Sequence, residues 1–405
     1  MTPANAFTET SPASSSALQS GQPLRISLAT GTLTLAVQSG SGDSGAELAS
    51  LCEFGARANP RRGFLIVSKV LGRHLPARPS AMRGAMARLA GFLPDDLPTP
   101  IIFLGMAETA TALGQGIFAA YQQMHPDQFC LYLQTARQTV AGAEVLASFE
   151  EGHSHATSHK VQVADRELLA LAREARSLII IDDESSTGNT FVAAAEAMLA
   201  ALPQLERIDT CCLTDWSCGL YLTRLPCEAK RHYLLTGTMT WQAGVAALPP
   251  LAATSNGVGD APPLGMRSRS GLLSPEAAAR LPVTCGHGER VLVLGDGEHA
   301  YEALLIAEEI ETQGGIAAVQ SITRTPALEG HAMRTRSTYE DAYGSGAPAF
   351  LYNILAHQPH RILIAAEIAG KQVDDTRRAL QDLGAEASDI KIELVNCIYP
   401  GENAC

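Results

Sequence analysis

Two adjacent acids, Asp182 and Asp183, end the apolar run LIII in the segment SLIIIDDESSTGNTF, residues 177–191. A stretch of small residues, 184–190, then leads into an Ala-rich helical pattern over residues 191–202. Each part suits one kind of ligand chemistry. A phosphate monoester needs several donors in a concave arrangement, and the free amides at a helix N-terminus supply them along a favourable dipole. Gly188 lets backbone and anion approach closely. Ser185, Ser186, Thr187 and Thr190 add hydroxyl donors around the same oxygens, with Asn189 in the same cradle. Carboxylates just ahead of the cradle can accept hydrogen bonds from vicinal ribose hydroxyls, so a sugar phosphate is held at both ends. A P-loop would need Gly-Lys-Ser/Thr, and a dinucleotide fingerprint G-x-G-x-x-G after the strand; neither is present here. The plainer alternative is a strand-to-helix turn with a capping threonine.

Other stretches carry weaker signals. Residues 101–114, IIFLGMAETATALG, again read strand, small-residue turn, helix. FEEGHSHATSHK, residues 149–160, is polar without an apolar period and reads as a mobile loop whose chemistry-bearing groups are His153, His155 and Lys160. A metal site on His153, His155 and His159 is the rival reading. Further on, RVLVL followed by GDGEHAYE forms a turn around Gly295, Asp296, Gly297 and Glu298 that could receive an anion or be an ordinary tight turn. Thr323, Arg324, Thr325 and Pro326 follow another strand. Both turns are expected at the carboxyl edge of one sheet, where ligands of α/β proteins collect. Arg324, Arg334 and Arg336 suit a phosphate or carboxylate, with solvated surface arginines as the alternative.

The elements that must position these groups are strands alternating with helices. Residues 24–37 alternate like a strand pair turning near Thr30 and Gly31. Residues 64–70, 101–104, 129–133 and 178–181 read as strands, and 110–121 and 191–202 as helices. Apolar strands buried on both faces indicate a parallel sheet covered by helices. Residues 1–23 are Ser-, Thr-, Ala- and Pro-rich and are expected to be a disordered tail. Residues 248–270 shift to Pro, Gly, Ala, Ser and Thr and are expected to be a linker. The first domain is thus placed at 24–247 and a second α/β domain at 271–405. That second domain has strands at 290–294, 316–322, 360–365 and 390–395, helices at 300–313 and 374–383, and an expected core of its own.

Composition bounds the partners. With 42 acidic against 30 basic residues, the 405-residue chain carries a net charge of −12 and has no Lys/Arg run, which argues against polymeric nucleic acid. No apolar run reaches the ~18 residues of a membrane span, and no secretory leader is evident, so a cytoplasmic protein is expected. Nine scattered cysteines lack a disulfide framework, and Cys211, Cys212, Cys218 and Cys227 lack paired zinc spacing.

The acid pair followed by T-G-N-T resembles the phosphoribosyl-diphosphate (PRPP) signature of type I phosphoribosyltransferases. FLIVSKVLGRHLPARP, FLGMAETATALG, FEEGHSHAT, DDESSTGNT and SITRTPA together look like the bacterial phosphoribosyltransferases with a C-terminal TRSP domain, associated with tellurite-resistance and stress gene clusters. The resemblance covers nearly the whole chain beyond the tail. It implies a type I fold, a parallel sheet with a hood, followed by a Rossmann-like TRSP domain. It further implies transfer of a phosphoribosyl group between PRPP and a nucleobase-like acceptor, with Mg2+ near Asp182 and Asp183. Pyrophosphate would lie on Gly105, Met106, Ala107, Glu108 and Thr109 with Arg137 nearby. The mobile loop would close and bring His153 and His155 to the reaction. Lys69, Arg73 and His74 would recognise the acceptor, and the second-domain site would comprise Gly295, Glu298, Thr323, Arg324 and Thr325. Two residues depart from the pattern. Thr325 stands where Ser is usual, and Glu108 is a carboxylate beside pyrophosphate that either helps hold Mg2+ or faces away and caps its helix. A non-catalytic PRPP or nucleotide sensor is the alternative function, a scaffold the alternative role for the second domain, and a homodimer is left open.

Overall fold

The run LIII at residues 178–181 lies at the centre of a nine-stranded sheet. The computed structural model describes residues 23–38, 44–59, 62–150, 158–244, 260–261, 269, 271–274, 283–385 and 390–396. Residues 1–22 of the expected tail, most of the expected linker and the pair His153 and His155 lie outside the described residues. Strand order across the sheet is Leu24–Leu28, Gly31–Gln38, Arg231–Ala243, Arg207–Asp215, Ser177–Ser185, Ile101–Gly105, Cys130–Ala136, Ser158–Val163 and Glu144–Glu150. The five middle strands run parallel and the outer pairs antiparallel.

Ile101–Gly105 and Ser177–Ser185 are buried at every apolar position, as neighbours in a sheet covered on both faces require. Their register pairs Ile181 with Gly105, so both strands end at one level and their outgoing loops lie side by side. The central strand runs four residues beyond the expected 181, because Asp182, Glu184 and Ser185 pair with Cys212, Thr214 and Asp215. The acids therefore sit on a strand end held from the side and not on a free loop. Pro79–Ala90, Thr111–Met124 and Asn189–Ala201 are the main covering helices. A hairpin, Cys52–Ala56 with Phe64–Ser68, overhangs the carboxyl ends of the middle strands.

The second α/β unit is a four-stranded parallel sheet in the order Ile316–Ile322, Arg290–Asp296, Arg361–Ala366, Lys391–Asn396. Leu292, Leu294, Ile362 and Ile364 turn to a core shared with Ala379 and Leu380 of the helix Gln372–Asp382. Val291, Val293, Val319 and Leu363, on the other face, join the apolar cluster of the first unit through the helix Tyr301–Thr312. The expected separate core is thus only one face of the second unit; on the other face apolar packing runs through the boundary. Ala77 and Val319 exchange backbone hydrogen bonds of 2.9 and 2.8 Å, and Leu328 N–H donates to Ala56 O at 2.7 Å. The Arg83 guanidinium closes the seam on both Glu308 oxygens (2.6 and 2.9 Å) and the Tyr301 hydroxyl (2.9 Å). Among the described residues no helix is long and apolar enough to cross a membrane.

Candidate active site

The helix Asn189–Ala201 begins on Gly188, whose φ of 75° is left-handed. A Cβ there would lie 2.2 Å from the Tyr221 ring, so Gly is required on both counts. The first helical bond is Val192 N–H to Gly188 O at 3.1 Å, which leaves the amides ahead of it outside the helical ladder. Those of Ser186, Thr187 and Gly188 donate to no group among the described residues. The Ser185 hydroxyl is buried without a partner among the described residues. The Thr187 hydroxyl accepts from Asn189 N–H at 3.4 Å, and the Asn189 side chain accepts from Arg224 at 2.7 Å. The three amides, with the Ser185 and Thr187 hydroxyls beside them, make a set of donors at a helix N-terminus.

Asp182 accepts from the Asp183 amide at 2.9 Å. Burial pushes the Asp183 carboxyl above its usual range against the opposing pull of that hydrogen-bonded arrangement, Arg62 and Arg73. Glu184 is also raised, chiefly by burial; its ion-pair partner Arg62 opposes the rise and Asp183 adds to it. Carboxyls pushed up by burial gain from hydroxyl donors or a cation.

Beside them, the loop after Ile101–Gly105 is held by Met106 N–H to Ile181 O at 2.9 Å and Ala107 N–H to the Thr135 hydroxyl at 2.8 Å. The next two amides, Glu108 and Thr109, have no acceptor among the described residues. The Ala107–Glu108 peptide is cis. At Gly105 a Cβ would meet the Tyr132 hydroxyl at 2.4 Å, so the loop can leave the strand only from a glycine. Arg137 lies near enough to help lower the Glu108 carboxyl, and its own Nε has no partner among the described residues.

The Glu108 side chain faces away from the loop, as one expectation had it, but it caps no helix. It is buried and faces the second unit, where it pairs with Arg73 at 3.3 Å and accepts from the Thr323 hydroxyl at 2.9 Å and Arg324 N–H at 3.2 Å. Burial would raise this carboxyl, but Arg73, Arg137, Arg324 and Thr323 outweigh it and hold it below the usual range. Arg73 also donates to Glu108 O, and to Gly297 O at 2.7 Å. Arg73 and His74 therefore do not line an open acceptor hood. Both are buried in the seam, where His74 O accepts from Gln320 at 3.1 Å and burial, with Arg73 beside it, drives the ring down to about 3. Lys69 reaches Ala49 O at 2.9 Å on the outside.

The second-domain residues meet the first unit instead of facing solvent. The turns after Arg290–Asp296 and Ile316–Ile322 do share one carboxyl edge, with Gly297 N–H on Ile322 O at 2.9 Å. Glu298 accepts from Arg137 N–H (2.9 Å) and Arg269 (3.1 Å), and its carbonyl from Thr111 (3.0 Å). Arg324 turns back onto Asp341 at 2.5 Å, and Thr325 O accepts from the Tyr352 hydroxyl at 2.8 Å. The Glu298 acid is thus already matched and the Arg324 guanidinium is paired with Asp341, so the two are not turned together toward an open anion site. Gly295 is packed against His299 O.

His159 is buried, stacks on Phe149 at 5.0 Å, and its Nδ1 lies 3.0 Å from the Thr135 hydroxyl. Lys160 donates to the Thr139 hydroxyl at 2.7 Å. The sequence reading missed a recess between the overhanging hairpin and the acids, lined by Cys52, Ile66, Ser68, Asp183, Glu184 and Thr214.

The family model described as phosphoribosyl transferase matches residues 51–232, and that of the TRSP domain C-terminal to it matches residues 270–382. No curated protein matches the chain. Among solved structures, adenine phosphoribosyltransferase from Trypanosoma brucei, in complex with AMP, pyrophosphate and ribose-5-phosphate, is similar at 12% identity and a TM-score of 0.34, over 50% of this chain and 86% of that one. Adenine phosphoribosyltransferase from Giardia lamblia is similar at 14% identity and 0.32, over 46% and 96%. Orotate phosphoribosyltransferase from Aeropyrum pernix is similar at 14% and 0.29, over 47% and 90%.

Proposed function

Because the chain belongs to the phosphoribosyl transferase family with a C-terminal TRSP domain, we propose that it transfers the 5-phosphoribosyl group between PRPP and a nucleobase-like acceptor, releasing pyrophosphate. One observation carries the reading. Two groups of amides without a partner among the described residues, 108–109 and 186–188, lie on adjacent strand ends and flank the Asp182–Asp183 pair. In this reading the 5′-phosphate takes the cradle at 185–190, the ribose hydroxyls take the acids, and pyrophosphate takes the loop at 105–109. The C1–oxygen bond breaks with its electron pair leaving on pyrophosphate, the acceptor nitrogen forms the new bond to C1, and its proton passes to solvent. The residues contribute positioning and electrostatic stabilisation of an oxocarbenium-like state, for which adjacent carboxylates are well placed.

Asp182 and Asp183 present oxygen-only donors of the kind Mg2+ accepts, with substrate phosphates completing its shell. Bound there, the ion would offset the charge of the leaving pyrophosphate.

The test is pyrophosphate release from PRPP with Mg2+ over a panel of bases. Release with at least one base is expected. Replacing Asp182 and Asp183 by Asn should abolish it and weaken PRPP binding about tenfold or more, from lost charge-assisted hydrogen bonds of ~1.5–3 kcal/mol each. Tight PRPP binding without release for any base would instead leave a nucleotide sensor.

A further inference from the structure

We propose that the turn at Thr323–Arg324 of the second unit is a positioning element for the loop at 105–109, acting through Glu108. The inference rests on the PRPP reading above and adds a partner to its pyrophosphate end. A carboxylate in a loop that receives a polyanion repels the ligand unless its charge is matched and turned aside. Here it is matched by three donors, and two of them, the Thr323 hydroxyl and the Arg324 amide, come from the second unit. Arg73 grips the carboxylate and the carbonyl of the same residue while anchored to Gly297 O. The grip fixes the peptide plane on its carbonyl side, and the Glu108 and Thr109 amides keep their hydrogens uncommitted among the described residues. Thr111 on Glu298 O, and Arg137 N–H on the Glu298 carboxylate, tie down both sides of the loop. The carboxylate is held ionised by these neighbours, which agrees with its being a fixed counter-charge and not a proton carrier.

The 5′-phosphate cradle at 185–190 has no contact of this kind with Thr323, so the two ends of the site can be separated experimentally. Calorimetry on the full chain would titrate magnesium pyrophosphate and, separately, ribose 5-phosphate. Thr323→Val should weaken pyrophosphate about tenfold and leave ribose 5-phosphate affinity near wild type, with a modestly lower melting temperature because the lost hydrogen bond to a buried charged group belongs to the folded state. Thr323→Ser should restore pyrophosphate binding. Adding Glu108→Gln to Thr323→Val should recover part of the loss, because the unmatched charge is gone. Unchanged pyrophosphate affinity in Thr323→Val, or equal loss for both ligands, overturns the positioning role while the PRPP reading stands. Failure of the wild-type protein to bind either ligand overturns that reading and the positioning role with it.

Discussion

Asp296 closes the strand Arg290–Asp296 with its carboxyl buried, accepting from Gln372 at 2.8 Å. Burial is the main reason its pKa rises to about 6; the Gln372 hydrogen bond opposes the shift and Asp341 adds to it. An unfolded Asp releases its proton near ~3.9, so between ~4 and 6 the folded chain binds more protons than the unfolded one. The stabilising share is therefore full below ~4 and is lost as pH rises through 6. Asp296→Asn should remove this dependence, and the wild type should lose on the order of 2 kcal/mol more than the variant between pH 4 and 7. Denaturation midpoints at several pH values check it, and parallel pH curves for the two proteins would refute it.

At the scale of elements, the turn from Ser177–Ser185 into Asn189–Ala201 depends on one residue. Gly188→Ala meets both a left-handed φ and the Tyr221 ring 2.2 Å away. The expected cost is about 2–4 kcal/mol in unfolding free energy, with weaker ribose 5-phosphate binding; an unchanged denaturation midpoint would contradict it. This turn was legible in the sequence because its ingredients are local: an apolar run, two acids, small residues and a helical period. The strands at 101–105 and 290–296 were legible for the same reason. The strands Arg207–Asp215 and Arg231–Ala243 were not, since RIDTCCLTD and RHYLLTGTMTWQA mix charged and apolar residues. Their polar groups are buried because they satisfy each other. Asp209 takes Arg207 at 3.0 Å and His232 at 2.9 Å, and Asp215 takes Arg231 at 2.9 Å. Such pairing within and between strands leaves no apolar period to read. The partners of Glu108 were hidden more deeply, for Thr323 lies 215 residues further along the chain.

For the whole molecule, the continuous apolar cluster implies that both units melt together. Arg83→Ala removes a paired, partly exposed guanidinium and its contact with the Tyr301 ring. It should lower stability by about 1–2 kcal/mol while calorimetry still records one transition. Two resolved transitions in the wild type would show that the shared cluster does not couple the units. The expectation of two separate folding units came from the Pro- and Gly-rich composition at 248–270, which reports on the connection and not on the faces it joins.

The seam also bears on how the chain is made. Gln320 reaches the His74 carbonyl across 246 residues of sequence, and Arg83 reaches Glu308 across 225. At ~5–20 residues per second of synthesis, the helix Pro79–Ala90 leaves the ribosome roughly 10–50 s before its partners exist. During that interval the apolar side destined for Tyr301–Thr312, and the backbone at 56 and 77, have no native cover. Chaperone demand should accordingly peak late in translation, and a slower decoding rate after residue 250 would lengthen the exposure.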